Sequence, residues 1–284
     1  MTLPNFLIIG AQKSGTTWLA KNLKQHPDIF IPSGEIHFFA KEQFINGIDW
    51  YEKHFSERTT EKVVGEKSTS YLWLSRSPEI PQNILSQLPD VKLIAVLRNP
   101  VNRAISAFTH HWSLGRVPPS IDIDEVFSGR HDDIVKKFGL LQMGMYYSNL
   151  KNYYSAFPKN QLLILIFEED IIQQPEQTMS RVTQFLGINT SFKFQELNRK
   201  RNAFRTSKYA ANLSYHFPSA FKLIRFLDLA TFRLSNNHSL SGSRPKHILS
   251  PEISSRLYDY FSEENKNLFH LLNRNIPSWK QSQA

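Results

Sequence analysis

In GAQKSGTT, Gly10 and Gly15 have the glycine spacing of a phosphate-binding loop, but Thr16 stands where a nucleoside triphosphatase loop carries its lysine. The lysine lies inside the loop, as Lys13. The apolar run Phe6 to Ile9 precedes it, and a helical pattern with Trp18, Leu19 and Leu23 on one face, over Thr16 to Gln25, follows. A strand–loop–helix turn of this kind points the amides of residues 12–17 at an anion, and Thr16 and Thr17 add hydroxyl donors. With Lys13 supplying a fixed monovalent charge, the loop suits a compact anion handled without a metal ion.

A second loop carries matching chemistry. LRNPVNRAISAF places Arg98 at the end of an apolar run and Ser106 on the helical stretch that follows. An arginine fork and a hydroxyl converging there fit a second phosphate. Two anion sites, one around Lys13 and one around Arg98 and Ser106, imply a ligand with two separated anionic groups.

The elements that must position these loops form a repeating pattern. VKLIAVLRNP (91–100) predicts a buried strand stopped by Pro100, and the helix after it carries Ile105, Phe108 and Trp112 at helical spacing. QLLILIFEED (161–170) predicts a third strand leading into an acidic turn, and PEQTMSRVTQFLGI (175–188) an amphipathic helix closed by Gly187. Three strand–turn–helix units predict an α/β fold, a mainly parallel central sheet flanked by helices in three α/β/α layers. Ligands bind at the carboxyl ends of such strands, where both loops lie. Towards the C-terminus, FPSAFKLIRFLDLATFRL predicts an amphipathic helix between two polar, basic ends, and 250–272 a further helix with Ser250 as N-cap and Pro251 at its first position.

Composition narrows the class. The 284 residues, 40% hydrophobic with 21 Phe, fill one large α/β domain or two small ones. We expect a single domain over 1–284. The absence of cysteine excludes disulfides and thiolate metal sites and suits a reducing cytoplasm. We read no signal peptide in MTLPNFLIIG and no transmembrane segment. The net charge of +9 calls for an anionic partner. Nucleic acid is one candidate, but no zinc knuckle or aromatic RNA-binding strand accompanies the basic 199–208 run. A kinase-like reading lacks both the lysine after Gly15 and an acidic magnesium ligand near IAVLRNP.

Taken together, the blocks resemble the sulfotransferases that use 3′-phosphoadenosine 5′-phosphosulfate (PAPS). QKSGTTWL resembles their 5′-phosphosulfate loop and LRNPVNRAISAF their 3′-phosphate motif. HPDIFIPSGEIHFF (26–39), GEKSTSYL (65–72), GMYYSNLKNYYSAFP and YFSEENKNLFHLL resemble, in order, segments of the branch that sulfates glycans such as heparan sulfate. The resemblance covers most of the chain. It implies an enzyme that moves a sulfuryl group to an acceptor hydroxyl by in-line displacement, without metal, releasing adenosine 3′,5′-bisphosphate; with no signal peptide and no membrane anchor read in the sequence, we expect a soluble, bacterial-type one. The acceptor it implies is a glycan, with a lipid or secondary-metabolite hydroxyl as the alternative.

Residue by residue, the resemblance implies Glu35 as general base, from Glu-x-His-Phe-Phe, with His37 as rival base or acceptor-orienting group. On an extended segment the two would face the same side. It implies Lys13 at the leaving phosphate, Lys67 near the sulfuryl group, Glu66 orienting Lys67 or pairing with it on the surface, and Ser14, Gly15, Thr16 and Thr17 around the 5′-phosphate. Trp18 reads as core or adenine wall, and Arg98 and Ser106 as the 3′-phosphate site. The sequence departs from the family where Thr69 replaces a frequent proline, and where a disulfide-linked Lys-Gly-Arg loop is replaced by the cysteine-free SGSRPKH (241–247). Gly242, Arg244 and Lys246 stand in that place, and Arg199, Arg201 and Arg205 are candidates for an acceptor groove.

Overall fold

A computed structural model of the chain describes residues 3–198, 207–234 and 247–281. It divides into two compact units, one of Met1–Pro100, Gln142–Arg201 and Ser262–Ala284, the other of Val101–Leu141 and Asn202–Phe261.

The first unit holds β1 (Phe6–Gly10), α1 (Thr16–Leu23), β2 (Ile29–Phe30), β3 (Val63–Lys67), α2 (Ile80–Gln87) and β4 (Lys92–Leu97). The helix α3 (Pro100–Ser113) then leads into the second unit, and the chain returns with α4 (Tyr146–Ala156), β5 (Leu162–Ile166) and α5 (Pro175–Leu186). The strands form one parallel sheet in the order β2-β3-β1-β4-β5. β1, and β4 beyond Lys92, are apolar runs because both faces of the sheet are covered there. Successive side chains alternate between faces. Leu7, Ile9, Leu93, Ala95 and Leu97 therefore join one core with Ile84 of α2 and Leu150 and Tyr153 of α4. Phe6, Ile8, Ile94 and Val96 join another with Trp18 and Leu19 of α1 and Met179 and Val182 of α5. These are the expected three layers.

Several boundaries differ from the sequence expectation. The strand read over 161–170 ends at Ile166, and Phe167–Gln173 is a wide helical turn. The physical reason is Asp170, whose carboxylate accepts the Ile166 N–H at 2.5 Å and so ends the ladder. Pro100 does more than stop β4: it is the first residue of α3, where its missing N–H costs nothing. β3, which lies next to β1, went unread as a strand because Gly65, Glu66 and Lys67 break its apolar run.

The described part of the second unit contains no strand. Beyond Val101, α3 presents Phe108 and Trp112 edge-on to the His247 ring. The helices α6 (Lys208–His216) and α7 (Phe221–Leu234) follow in chain order, the latter covering much of the amphipathic stretch expected there. They are tied by Ser207, which caps α6 through Ala210 N–H at 3.1 Å and donates to Asp228 of α7 at 2.7 Å. The last long helix, α8 (Pro251–Leu272), starts in this unit, where Ser250 Oγ accepts the Ile253 N–H at 3.4 Å, and ends in the first. Among the described residues, no helix is long and apolar enough to cross a membrane.

Candidate functional site

The carboxyl ends of β1, β3 and β4 carry the candidate residues of the first unit. Past Gly10 the chain turns through residues 11–15 into α1, with Gly15 as N-cap at φ 99°. A Cβ at Gly15 would lie 2.7 Å from the Phe167 ring, so both backbone angle and space require glycine there. Lys13 also lies in the left-handed region, at φ 67°. Ser14 is fully buried, and among the described residues neither its Oγ nor Gln12 Oε1 has a hydrogen-bond partner. Thr16 is buried and Thr17 half-buried at the first turn of α1, whose leading amides have no acceptor within the helix.

The structure brings Arg98 to this loop: its guanidinium donates to Lys13 O at 3.1 Å and stacks over the Phe167 ring at 5.1 Å. The turn is held from behind. Tyr146 Oη donates to Arg98 O at 2.9 Å, while Glu168 accepts the Asn99 N–H at 3.1 Å and the Trp279 indole N–H at 3.0 Å. Glu168 stands 4.0 Å from Arg98 Nε, outside hydrogen-bond distance. Burial, and then the neighbouring Arg98 charge, pushes the Lys13 ammonium below the usual lysine range. Among the described residues Lys13 Nζ has no hydrogen bond or ion pair. Two partly buried cations, helix-start amides and a hydroxyl without a partner among the described residues are the kinds of group that can receive an anion.

Trp18 is 6% exposed within the core, and its indole donates to Leu197 O at 2.8 Å. Ser106 is half-buried on α3, in the second unit. Gly242, Arg244, Lys246, Arg199, Arg201 and Arg205 lie outside the described residues. Among the described residues, no group of histidines and carboxylates is arranged to hold a metal ion.

The second cluster gathers around Glu35. Lys67, at the end of β3, pairs with Glu35 Oε1; Thr69 donates both its N–H and its hydroxyl to Oε2, each at 2.9 Å. His37 Nε2 is 3.6 Å from Oε2, and its Nδ1 meets Ser70 Oγ at 2.6 Å. Glu35 and His37 do share a side, but not on an extended segment: residues 31–38 contain no strand, and His37 takes a left-handed turn at φ 59°. Burial alone would raise the Glu35 carboxyl; the Lys67 charge and the Lys67 and Thr69 hydrogen bonds outweigh it and hold it below the usual range. Burial lowers His37 despite Glu35, with Lys67 and Arg76 adding to the effect, so the imidazole is neutral near pH 7.

Glu66 is corrected outright. It neither orients Lys67 nor pairs with it on the surface, because successive strand residues face opposite ways. Its fully buried carboxylate accepts hydrogen bonds from Ser68, Tyr51 and Tyr71, the last at 2.7 Å. Burial raises it, and those three donors only partly compensate. Ser68 Oγ accepts the His37 N–H at 3.0 Å, and Phe38 stacks on Tyr51 with centroids 4.3 Å apart. Glu66 thus anchors the segment that carries Glu35 and His37. Sequence reasoning missed this role and those of Thr69, Tyr146 and Glu168. Thr69 and the acidic turn were visible in the sequence, but nothing local told what they touch.

A family model described as sulfotransferase domain matches residues 3–269. Heparan sulfate glucosamine 3-O-sulfotransferase 3B1 of Mus musculus is 33% identical over 187 residues, which is 66% of this chain and 46% of that protein. The chain therefore matches less than half the length of this curated relative. A sulfotransferase from Alicyclobacillus acidocaldarius has a similar structure, with a TM-score of 0.73 at 23% identity, covering 99% of this chain and 100% of the other. A mouse sulfotransferase solved with PAP has a TM-score of 0.52 at 15% identity, covering 95% and 88%.

Proposed function

The chain belongs to the sulfotransferase domain family, and from that premise we propose that it transfers the sulfuryl group of PAPS to an acceptor hydroxyl. The observation that carries this reading is Lys13: a largely buried ammonium, unpaired among the described residues, beside Arg98 in a loop with an orphan Ser14 hydroxyl. A buried cation without a counter-charge is costly unless a ligand supplies one. A bisphosphorylated nucleotide does, and PAP is the molecule bound to the mouse structural relative. The match of the family model to residues 3–269, which span both units, supports one functional domain over 1–284. A cytoplasmic location suits a cysteine-free chain.

When bound, PAPS supplies an activated sulfuryl group on a phosphate leaving group. In this reading Lys13, Ser14, Gly15, Thr16 and Thr17 hold the 5′ side, and Arg98 with Ser106 the 3′-phosphate. Gly242 and Arg244 are further candidates for binding the nucleotide, and Trp18 backs the loop from the core. Lys13 neutralises charge developing on the leaving oxygen, and Lys67 does so nearer the sulfur. The acceptor oxygen attacks sulfur in line while Glu35 takes its proton. His37, neutral, orients the acceptor.

The acceptor we propose is a glycan hydroxyl. The glycan-sulfating relative supports it, as does a cationic surround: Lys24, Lys67 and Arg76 act electrostatically on one another or on His37. The deciding experiment is calorimetric titration with adenosine 3′,5′-bisphosphate, with and without EDTA, and with ADP as control. Tight binding that survives EDTA and that ADP does not match is the expected result. Binding that requires magnesium returns the loop to a kinase-like role. Transfer from PAPS to heparan-type oligosaccharides, compared with lipid and small-molecule alcohols, then tests the acceptor class.

A further inference from the structure

We propose that Thr69 is a positioning residue: its two donors occupy Glu35 Oε2 and leave Oε1, beside Lys67, as the oxygen that takes the acceptor's proton. An ionised carboxylate offers about four lone-pair directions, two on each oxygen. Thr69 N–H and Thr69 Oγ1–H, each at 2.9 Å, fill both on Oε2. Lys67 fills one on Oε1. His37 Nε2, 3.6 Å from Oε2, does not reach hydrogen-bond distance. Among the contacts of the described residues, one direction remains.

The consequence is geometric as well as electrostatic. Glu35 is only 24% exposed, and three donors from one short segment fix its rotamer. An acceptor hydroxyl has a single way to donate to it, and that approach passes beside the Lys67 ammonium. The proton leaves the acceptor oxygen for Oε1 as that oxygen bonds to sulfur and the sulfur–oxygen bond to the nucleotide phosphate breaks. The charged and titratable groups facing Glu35 are Lys67 and His37, with Lys24 and Arg76 acting on those two. A proline at 69 would offer neither donor.

This inference rests on Glu35 being the base, and the test separates the two. Thr69→Val keeps the N–H and the shape but removes the hydroxyl; Thr69→Ser restores it. Carbon-13 NMR titration of the Glu35 carboxyl should show its pKa rising by roughly one unit in Thr69→Val and returning in Thr69→Ser. The acid limb of kcat should move up by the same amount, with KM for the nucleotide unchanged. Circular dichroism melts establish that both variants fold. If neither the carboxyl titration nor the acid limb moves in folded Thr69→Val while Glu35→Gln is inactive, Thr69 positions nothing and the base assignment stands. If Glu35→Gln keeps normal kcat, the base assignment itself falls, and this inference falls with it.

Discussion

At the scale of single residues, the two clusters ask different things of charge. Among the described residues Lys13 has no counter-charge, and burial with the Arg98 charge works against its ammonium, so its contribution waits for an anionic ligand. Lys13→Ala should cost about 3 kcal/mol or more of transition-state stabilisation, read as a fall in kcat/KM; near-normal turnover would remove the lysine from the chemistry. Arg98→Ala should weaken adenosine 3′,5′-bisphosphate by about 2 kcal/mol, and adenosine 5′-phosphate much less. Calorimetry with both nucleotides decides it, since equal losses would mean that Arg98 only braces the loop through Lys13 O. Glu35 and His37 are the opposite case, already surrounded by partners. Glu35→Gln should lower kcat by roughly 10²–10⁴ with nucleotide affinity kept. A dead His37→Ala beside an active Glu35→Gln would reverse the base assignment.

At the scale of elements, the pairing of β1 with β3 sets Phe6 opposite Gly65 and Ile8 opposite Lys67. The Phe6 ring covers Gly65 so closely that an added Cβ would sit 2.0 Å from its tip. Gly65→Ala should therefore destabilise the fold by about 1–3 kcal/mol, measured by denaturant melts. Trimming the ring in Phe6→Leu/Gly65→Ala should recover part of that loss; no recovery would place the strain elsewhere. The same register puts Glu66 into the aromatic core and Lys67 toward Glu35. A slip of one residue would exchange them and dismantle both the anchor and the site.

At the scale of the molecule, Glu35 links the site to stability. Burial works against its charge, but Lys67 and Thr69 prevail, so folding favours the ionised form. That stabilisation is present above the ordinary carboxylate pKa and disappears as pH falls through the lower folded value. The difference in Tm between the wild type and Glu35→Gln should thus shrink on acidification from pH 7 to below about 4. A constant difference would show that the ion pair adds nothing to the fold.

The local strings settled much on their own. Apolar runs at β1 and β4, the glycine spacing of the first loop and the helical patterns after each strand follow from residue type and nearest neighbours, and they are enough to require a parallel three-layer sheet with its loops at one end. What they leave open is every interaction between distant residues. Lys67 and Thr69 reach Glu35 from 32 and 34 positions away. Glu66 is buried because a polar strand happens to lie beside β1, and Asp170 ends β5 by taking one N–H. Sequence patterns report which face of an element seeks the core. Which partner waits across the sheet depends on strand order and register, and those are fixed only when the whole chain packs.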